Sequence, residues 1–461
     1  MGPLDRDSLP LLAESLDRLA EGFSSLPDAG GPPPDLAAWR AVLSDVAVRL
    51  RDNYPYFHPL YAGQMLKPPH PVARLAYALA TWINPNNHAL DGGRATSAME
   101  KEAVRGLAAM FGWTDALGHL CGGGTMANLE ALWAASRLSP GVVLASDQAH
   151  YTHSRLSGVL GLAFEPVACD RRGRLDPAAL ARRLERGGVG TVVATIGTTA
   201  TGSVDPLPEI LELRAQHGFR LHADAAYGGY FGLLGEGEGE GGLAPETRAA
   251  YDRLRETDSI VIDPHKHGLQ PYGCGCVLFR DPSVGRLYQH DSPYTYFTST
   301  ELHLGEISLE CSRPGASAAA LWATMRLLPP VPGGEFARML GAGRLAAIAI
   351  HGRLASSLRF VPGFTPELDI VVYAPRAPSV SASAARARAI FDEAARRGLH
   401  LALAELPAVF FDFEAHGVAR DRDTATCLRS VLMKPEHELW ADRIADLLEE
   451  SAEAADRETR R

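Results

Sequence analysis

The stretch Ser259-Ile260-Val261-Ile262-Asp263-Pro264-His265-Lys266-His267 decides how this chain reads. Ile260–Ile262 is a short β-branched run with no polar alternation, the mark of a strand buried on both faces. It runs into an Asp-Pro turn, and the next two side chains are an imidazole and a primary amine. A lysine just past a buried strand is an odd place for a solubilising charge. Comparable apolar runs recur at Val142–Ala145, Val192–Ile196, Arg220–Ala223 and Cys276–Phe279, separated by helical patterns at Met126–Arg137, Pro177–Glu185 and Leu207–Gln216. This alternation predicts an α/β fold with a mostly parallel sheet covered on both faces. Ligands of such sheets bind at the carboxyl ends of the strands.

Outward from that block, residues 80–330 read as one large domain. Residues 1–79 read as an N-terminal helical arm, with apolar residues at helical spacing (Leu9, Leu12, Leu16, Leu19), a Gly/Pro break at Gly30–Pro34 and a second helix from Leu36 to about Arg51. Its apolar stripe requires something to pack on, either the body of the chain or a partner copy. After Pro329-Pro330, residues 331–461 read as a small C-terminal α+β domain. Helices are expected near 335–357 and 383–398, strands at Ile370–Tyr373 and Ser430–Met433, and a charged helix from 441. The GEGEGEGG run at 235–242 reads as a surface loop.

Composition narrows the function classes. The net charge of −10, with both signs interleaved, argues against a nucleic-acid partner. No stretch resembles a membrane span, and the acidic start MGPLDRDSLP lacks the layout of a secretory signal, so a cytoplasmic location is the default. Six scattered cysteines without metal-ligand spacing suit a reducing compartment, and no metal site is expected.

Of 45 basic residues only four are lysines: Lys67, Lys101, Lys266 and Lys434. Lys67 and Lys434 precede prolines in apparent connections, and Lys101 lies between two glutamates on a helix. Only Lys266 follows a strand, where an amine can form a Schiff base with an aldehyde. Gly122-Gly123-Gly124-Thr125 opens a helix, an arrangement in which backbone N–H groups and the helix dipole receive an anion. Asp224, in Leu221-His222-Ala223-Asp224-Ala225-Ala226-Tyr227, falls where a strand ends. A carboxylate there can hold a pyridine nitrogen protonated, with the small Ala226 admitting a flat ring. His150 follows the strand at 142–145 and can stack on such a ring, and Thr198 sits at a further strand end.

Taken together, these segments resemble the group II pyridoxal 5'-phosphate (PLP) dependent decarboxylases, of fold type I, over about residues 80–330. GGGTMANLEAL resembles that family's phosphate loop, implying that Gly123, Gly124 and Thr125 hold the phosphate. SDQAHYTHSR implies ring stacking by His150. IGTTATGSVDPL and HADAAYGGY assign Thr198 to the cofactor, Asp224 to the pyridine nitrogen and Ala226 to the opposite ring face. DPHKHGLQPYG implies Lys266 as the imine lysine, with His265 beside the phosphate. Cys427–Val431 resembles the place where glutamate decarboxylases present an arginine to the substrate carboxylate, which would make Arg429 a two-pronged clamp. A tyrosine on a loop often returns the proton in this family; Tyr294 and Tyr296 occupy roughly that region. The resemblance also implies a homodimer with active sites at the interface.

The implied reaction is decarboxylation of an L-amino acid to its amine. The substrate amine replaces Lys266 on the aldehyde carbon, carbon dioxide leaves its electrons in the ring, and His150 or Tyr296 returns a proton. Leu309–Ala316 (LECSRPGA) and Lys266-His267-Gly268 also resemble sphingosine-phosphate lyase, so a retro-aldol lyase or a decarboxylation-dependent oxidase is the alternative. An aminotransferase and a catalytically idle paralogue are weaker rivals. Aromatic members of the family carry tryptophan where this chain has His267. Asn84, His88, His267, Gln270 and Tyr272 are candidate specificity groups whose polarity favours a polar or acidic substrate.

Overall fold

The chain is described by a computed structural model covering residues 4, 6–237, 239–289 and 303–459. Two helices, α1 (Leu9–Glu21) and α2 (Leu36–Leu50), precede α3 (Pro71–Thr81) and the long α4 (Leu90–Met110). Then follow β1 (Leu117–Cys121), α5 (Gly124–Leu138), β2 (Val142–Ser146), α6 (Thr152–Val159), β3 (Phe164–Val167), α7 (Pro177–Leu184) and β4 (Val189–Thr195). The same alternation continues through α8 (Leu207–His217), β5 (Arg220–Asp224), α9 (Pro245–Asp252), β6 (Ser259–Ile262) and β7 (Gly275–Phe279). After α10 (Gly315–Leu327) and α11 (Glu335–Ala355) come β8 (Phe360–Pro362), β9 (Ile370–Pro375), α12 (Val380–Arg396), β10 (Ala402–Pro407), β11 (Thr424–Val431) and α13 (His437–Thr459).

Seven strands form one sheet in the order β1-β7-β6-β5-β4-β2-β3. The run β6, β5, β4, β2, β3 is parallel, while β7 is antiparallel to both β6 and β1. β1 therefore points the same way as the parallel strands, and six carboxyl ends share one edge. Every residue of β6 and β7 is buried, as a strand covered on both faces requires. The sheet is thus the mostly parallel one the sequence predicts, with two strands that periodicity did not mark. β1 is interrupted by His119, which is fully buried 3.0 Å from Glu130 of α5. β3 carries Glu165 and Pro166 at the sheet edge.

The second sheet, β10-β11-β9-β8, is antiparallel. It packs with α11, α12 and α13 around a core that includes Ile350, Tyr373, Ile390, Leu428 and Leu448. The strand expected at Ser430–Met433 is the end of β11, which starts at Thr424; past Val431 the chain leaves the ladder, and the Leu432 N–H donates to the Asp369 carbonyl. α3 packs against α10 across the boundary expected at residue 79. α2 buries none of its residues and exposes Leu36, Trp39, Val42, Leu43, Val46 and Leu50. Among the described residues no helix is long and apolar enough to cross a membrane.

Candidate active site

The carboxyl ends of the parallel strands surround a cavity of about 610 Å3. The loop after β1 brings Gly122–Thr125, the segment after β2 brings His150, and β4 brings Thr195, Gly197 and Thr199. β5 brings Asp224, Ala226 and Tyr227, and β6 brings Asp263, His265 and Lys266.

At the glycine loop, Gly123 has φ +147°, a backbone conformation that favours glycine. The loop also lies directly on β7. A Cβ at Gly275 would fall 2.5 Å from the Gly123 Cα, and one at Gly124 would fall 2.7 Å from Asp263 Oδ2. No side chain caps α5, so its first-turn amides and the positive end of its dipole face the loop, suited to an anion. The Thr152 hydroxyl donates to the Thr125 hydroxyl at 3.4 Å, and Glu310 Oε2 accepts the Gly122 N–H at 3.0 Å.

Lys266 Nζ lies 3.0 Å from Asp263 Oδ2, its side chain 22% exposed. Asp263 Oδ1 and His265 Nδ1 are buried without a hydrogen-bond partner, a costly arrangement for a solitary cavity and a natural one for a site that holds a polar ligand. Burial lowers the pKa of His265, whose ring lies 4.8 Å from that of Tyr272. Burial also lowers the pKa of His150, whose Nδ1 accepts the Thr152 N–H at 3.2 Å. Both rings thus favour the neutral form, which stacks on an aromatic system without an uncompensated charge.

Asp224, the last residue of β5, is 5% exposed. His153 Nε2 lies 2.8 Å from its Oδ2, the Asn128 amide donates to the same oxygen at 3.3 Å, and the Ala226 N–H donates to Oδ1 at 3.2 Å. Burial alone would push this carboxyl up; the hydrogen bond from His153, with the Lys266 charge nearby, outweighs it and holds the group well below the usual carboxylate range. The site therefore offers a permanent anion opposite an amine, with an anion cradle at the third corner. The residues present fit PLP.

Of the residues predicted from sequence, Gly123, Gly124, Thr125, His150, Asp224, Ala226, His265 and Lys266 line this cavity. Thr198 requires correction: it is fully buried, its hydroxyl bonded to Thr201 at 2.8 Å and accepting the Ser203 N–H at 3.0 Å, and the threonines on the wall are Thr195 and Thr199. His88 is also off the wall, half-buried with Nδ1 3.8 Å from Cys311 Sγ. His267 is buried between the rings of Tyr227 and Phe231, at 4.7 and 4.8 Å, because its strand-end turn points it into the core. Arg429 lies on β11, 6% exposed, with Nε and Nη2 unpartnered; its charge acts on Tyr227, which does line the cavity. Gln270 is turned inward onto the Gly268 carbonyl and Thr324, both at 2.9 Å. Asn84, after α3, and Tyr272 are not on the wall either. Tyr294 and Tyr296 lie outside the described residues.

Sequence reasoning missed His153, Asn128, Asp263 and Glu310. For His153 a signal existed: it stands three residues after His150, about one helical turn on, so both rings can serve one site. Of the two lysines read as lying in connections, Lys434 is buried and Lys67 half-buried. Lys67 Nζ donates to the Met433 carbonyl at 3.3 Å and Lys434 Nζ to the Tyr61 carbonyl at 2.7 Å, beside a smaller cavity of about 200 Å3.

Comparison with known proteins agrees with this geometry. A family model described as the pyridoxal-dependent decarboxylase conserved domain matches residues 133–329. A probable L-tyrosine/L-aspartate decarboxylase of Methanothermobacter thermautotrophicus is 32% identical over 319 residues, covering 68% of this chain and 82% of its own. An L-tyrosine decarboxylase of Enterococcus faecium is 29% identical over 416 residues, covering 68% of each chain. Among solved structures, Oryza sativa TDC with PLP and tryptamine superposes with a TM-score of 0.78 at 18% identity, over 98% of this chain and 99% of that one. Mouse CSAD gives 0.76 at 21% identity, over 96% and 91%. At these identities the two structures speak for the fold.

Proposed function

We infer the finer function from one fact: this chain belongs to the group II PLP-dependent decarboxylases, and with them it shares PLP as cofactor and the decarboxylation of an amino acid. The observation that carries the residue roles is that Lys266, Asp224 and the glycine loop, far apart in sequence, line one cavity.

Lys266 is the amine that binds the cofactor aldehyde and gives it up to the substrate. Gly123, Gly124 and Thr125 hold the phosphate at the start of α5, with His265 beside it. His150 and Ala226 enclose the ring, and Asp224 holds its nitrogen protonated. When bound, PLP supplies the electron sink that accepts the bonding pair left by departing carbon dioxide. The chain's own part is to keep Asp224 anionic, to exclude water with Leu129, Leu156 and Tyr227, and to return a proton to the substrate carbon from His150 or Tyr296.

The substrate we propose is an aromatic L-amino acid, tyrosine ahead of aspartate. The polar groups that pointed to an acidic substrate are off the wall. Lys266 is the only Lys or Arg among the lining residues, Asp224, Asp263 and Glu310 would repel a second carboxylate, and Met126, Leu129, Tyr151 and Leu156 offer apolar contact. The assembly we propose is a homodimer, supported by the unburied apolar residues of α2. Six free cysteines support a reducing, cytoplasmic setting.

The test is purified enzyme with PLP, offered each of the twenty amino acids, with carbon dioxide, amine and aldehyde all measured. Tyramine and carbon dioxide in equal amounts are expected, and Lys266→Ala should lose both the product and the yellow absorbance of the lysine-bound cofactor. An aldehyde product, or a Lys266→Ala protein that keeps that absorbance, would overturn these roles.

A further inference from the structure

We propose that His153 is a positioning residue for this reaction, donating its Nε2–H to Asp224 in concert with a buried relay that runs from Ser259 through His222 and Asn128 to the same carboxylate. The proposal rests on the role of Asp224 given above.

Each hydrogen bond of the relay has a determined direction. His222 Nε2 lies 2.8 Å from Asn128 Oδ1 and its Nδ1 lies 2.8 Å from Ser259 Oγ. An amide oxygen can only accept, so His222 carries its proton on Nε2. Burial drives the His222 pKa down to about 3, so the ring is neutral and Nδ1 accepts the serine hydroxyl. With its oxygen occupied, Asn128 turns its NH2 to Asp224 Oδ2. His153, fully buried on α6, brings a second side-chain donor to that oxygen. The Ala226 amide adds a third donor, on Oδ1. Three donors and no acceptor suit a carboxylate and not a carboxylic acid, which would have to turn a proton toward one of them.

The groups facing Asp224 are His222 on its own strand, His150 and His153 from the β2–α6 segment, and Lys266 with Asp263 after β6. Lys266 is the sole Lys or Arg in that set, and in the proposed function its amine is committed to a carbonyl carbon. The fixed donors then act on the carboxylate alongside the protonated ring nitrogen and orient the oxygen that meets it. His153 Nδ1 is buried without a partner, so Nε2 is the ring nitrogen whose proton meets an acceptor.

The test compares His153→Gln with His153→Met, side chains of similar length of which only the first donates a hydrogen bond. PLP dissociation constants and kcat are followed from pH 5 to pH 9 on the holoenzyme. In the wild type and His153→Gln, Asp224 stays ionised over this range and PLP affinity holds at the acid end. In His153→Met the carboxylate loses a charge-assisted donor, so PLP binds roughly 10- to 100-fold more weakly and kcat falls with it, while KM at pH 8 stays within threefold. Profiles of the two variants that superimpose on the wild type overturn the proposal. Should the methionine variant fail to fold, 15N spectra of histidine-labelled wild-type apoprotein decide: an Nε2–H resonance for His153 from pH 5 to pH 9 supports it, and an Nδ1–H tautomer overturns it. That readout needs neither PLP nor turnover, so it fails independently of the decarboxylase roles.

Discussion

Gly275→Ala tests the close approach on which the anion cradle depends. Gly275 opens β7 opposite Cys121, and a methyl added there would meet Gly123 Cα at 2.5 Å and Gly123 C at 2.6 Å, both backbone, with Asp263 Oδ1 at 3.0 Å. Ordinary carbon–carbon contact lies near ~3.5–4.0 Å, so one backbone must move by roughly 1 Å. If the core absorbs the strain, overpacking costs about 1–3 kcal/mol, which lowers the melting temperature by roughly 1–3 °C in a chain of this size. If the glycine loop moves instead, the same free energy appears as a PLP dissociation constant weaker by roughly 5- to 150-fold. Differential scanning calorimetry of the apoprotein and equilibrium dialysis against PLP measure the two outcomes. Gly352→Ala is the control: it lies in α11, nothing stands within 4 Å of its added Cβ, and its φ is not positive. It should melt at or slightly above the wild-type temperature. A Gly275→Ala protein matching the wild type in both assays would refute the reasoning.

Arg429→Met should raise KM for the amino acid or abolish turnover, at least 100-fold in kcat/KM. It should melt within a few degrees of the wild type, because a guanidinium with two buried unpartnered nitrogens is a poor source of stability; unchanged kinetics would remove it as the carboxylate clamp. Burial lowers the Lys434 pKa from 10.5 to about 7, so between those values the unfolded chain binds the extra proton and stability rises with pH. The melting temperature of Lys434→Met relative to wild type should therefore be most favourable near pH 6 and decline as pH rises through 7 toward 10; a pH-independent difference would contradict the depressed amine. Replacing Trp39 and Leu43 by Glu on the exposed face of α2 should convert a dimer to monomers in sedimentation velocity, whereas an unchanged sedimentation coefficient would remove α2 from the interface.

Much of this was legible without coordinates because it depends on local pattern. Buried parallel strands are continuous apolar runs, as at Ile260–Ile262, and their ends display polar residues in short motifs. Asp224, Lys266, His150 and the glycine loop were found that way, and the scarcity of lysine singled out the amine. β1 and β3 escaped because a buried histidine, His119 beside Glu130, and a Glu-Pro step at the edge break the apolar run that periodicity detects.

The sequence by itself determined the fold class and the chemical inventory, since strand ends, glycine turns and a reactive amine are each encoded within a few residues. Only the tertiary structure decided which way side chains face. Thr198 and His267 sit beside wall residues in the chain, yet the turn geometry sends one into its own loop and the other into the core. His153 and Asn128 reach Asp224 from two separate helices, and Ser259 reaches His222 from the neighbouring strand. Such contacts arise from the packing of helices on the sheet, and apart from the spacing of His153 from His150 nothing along one stretch of sequence records them.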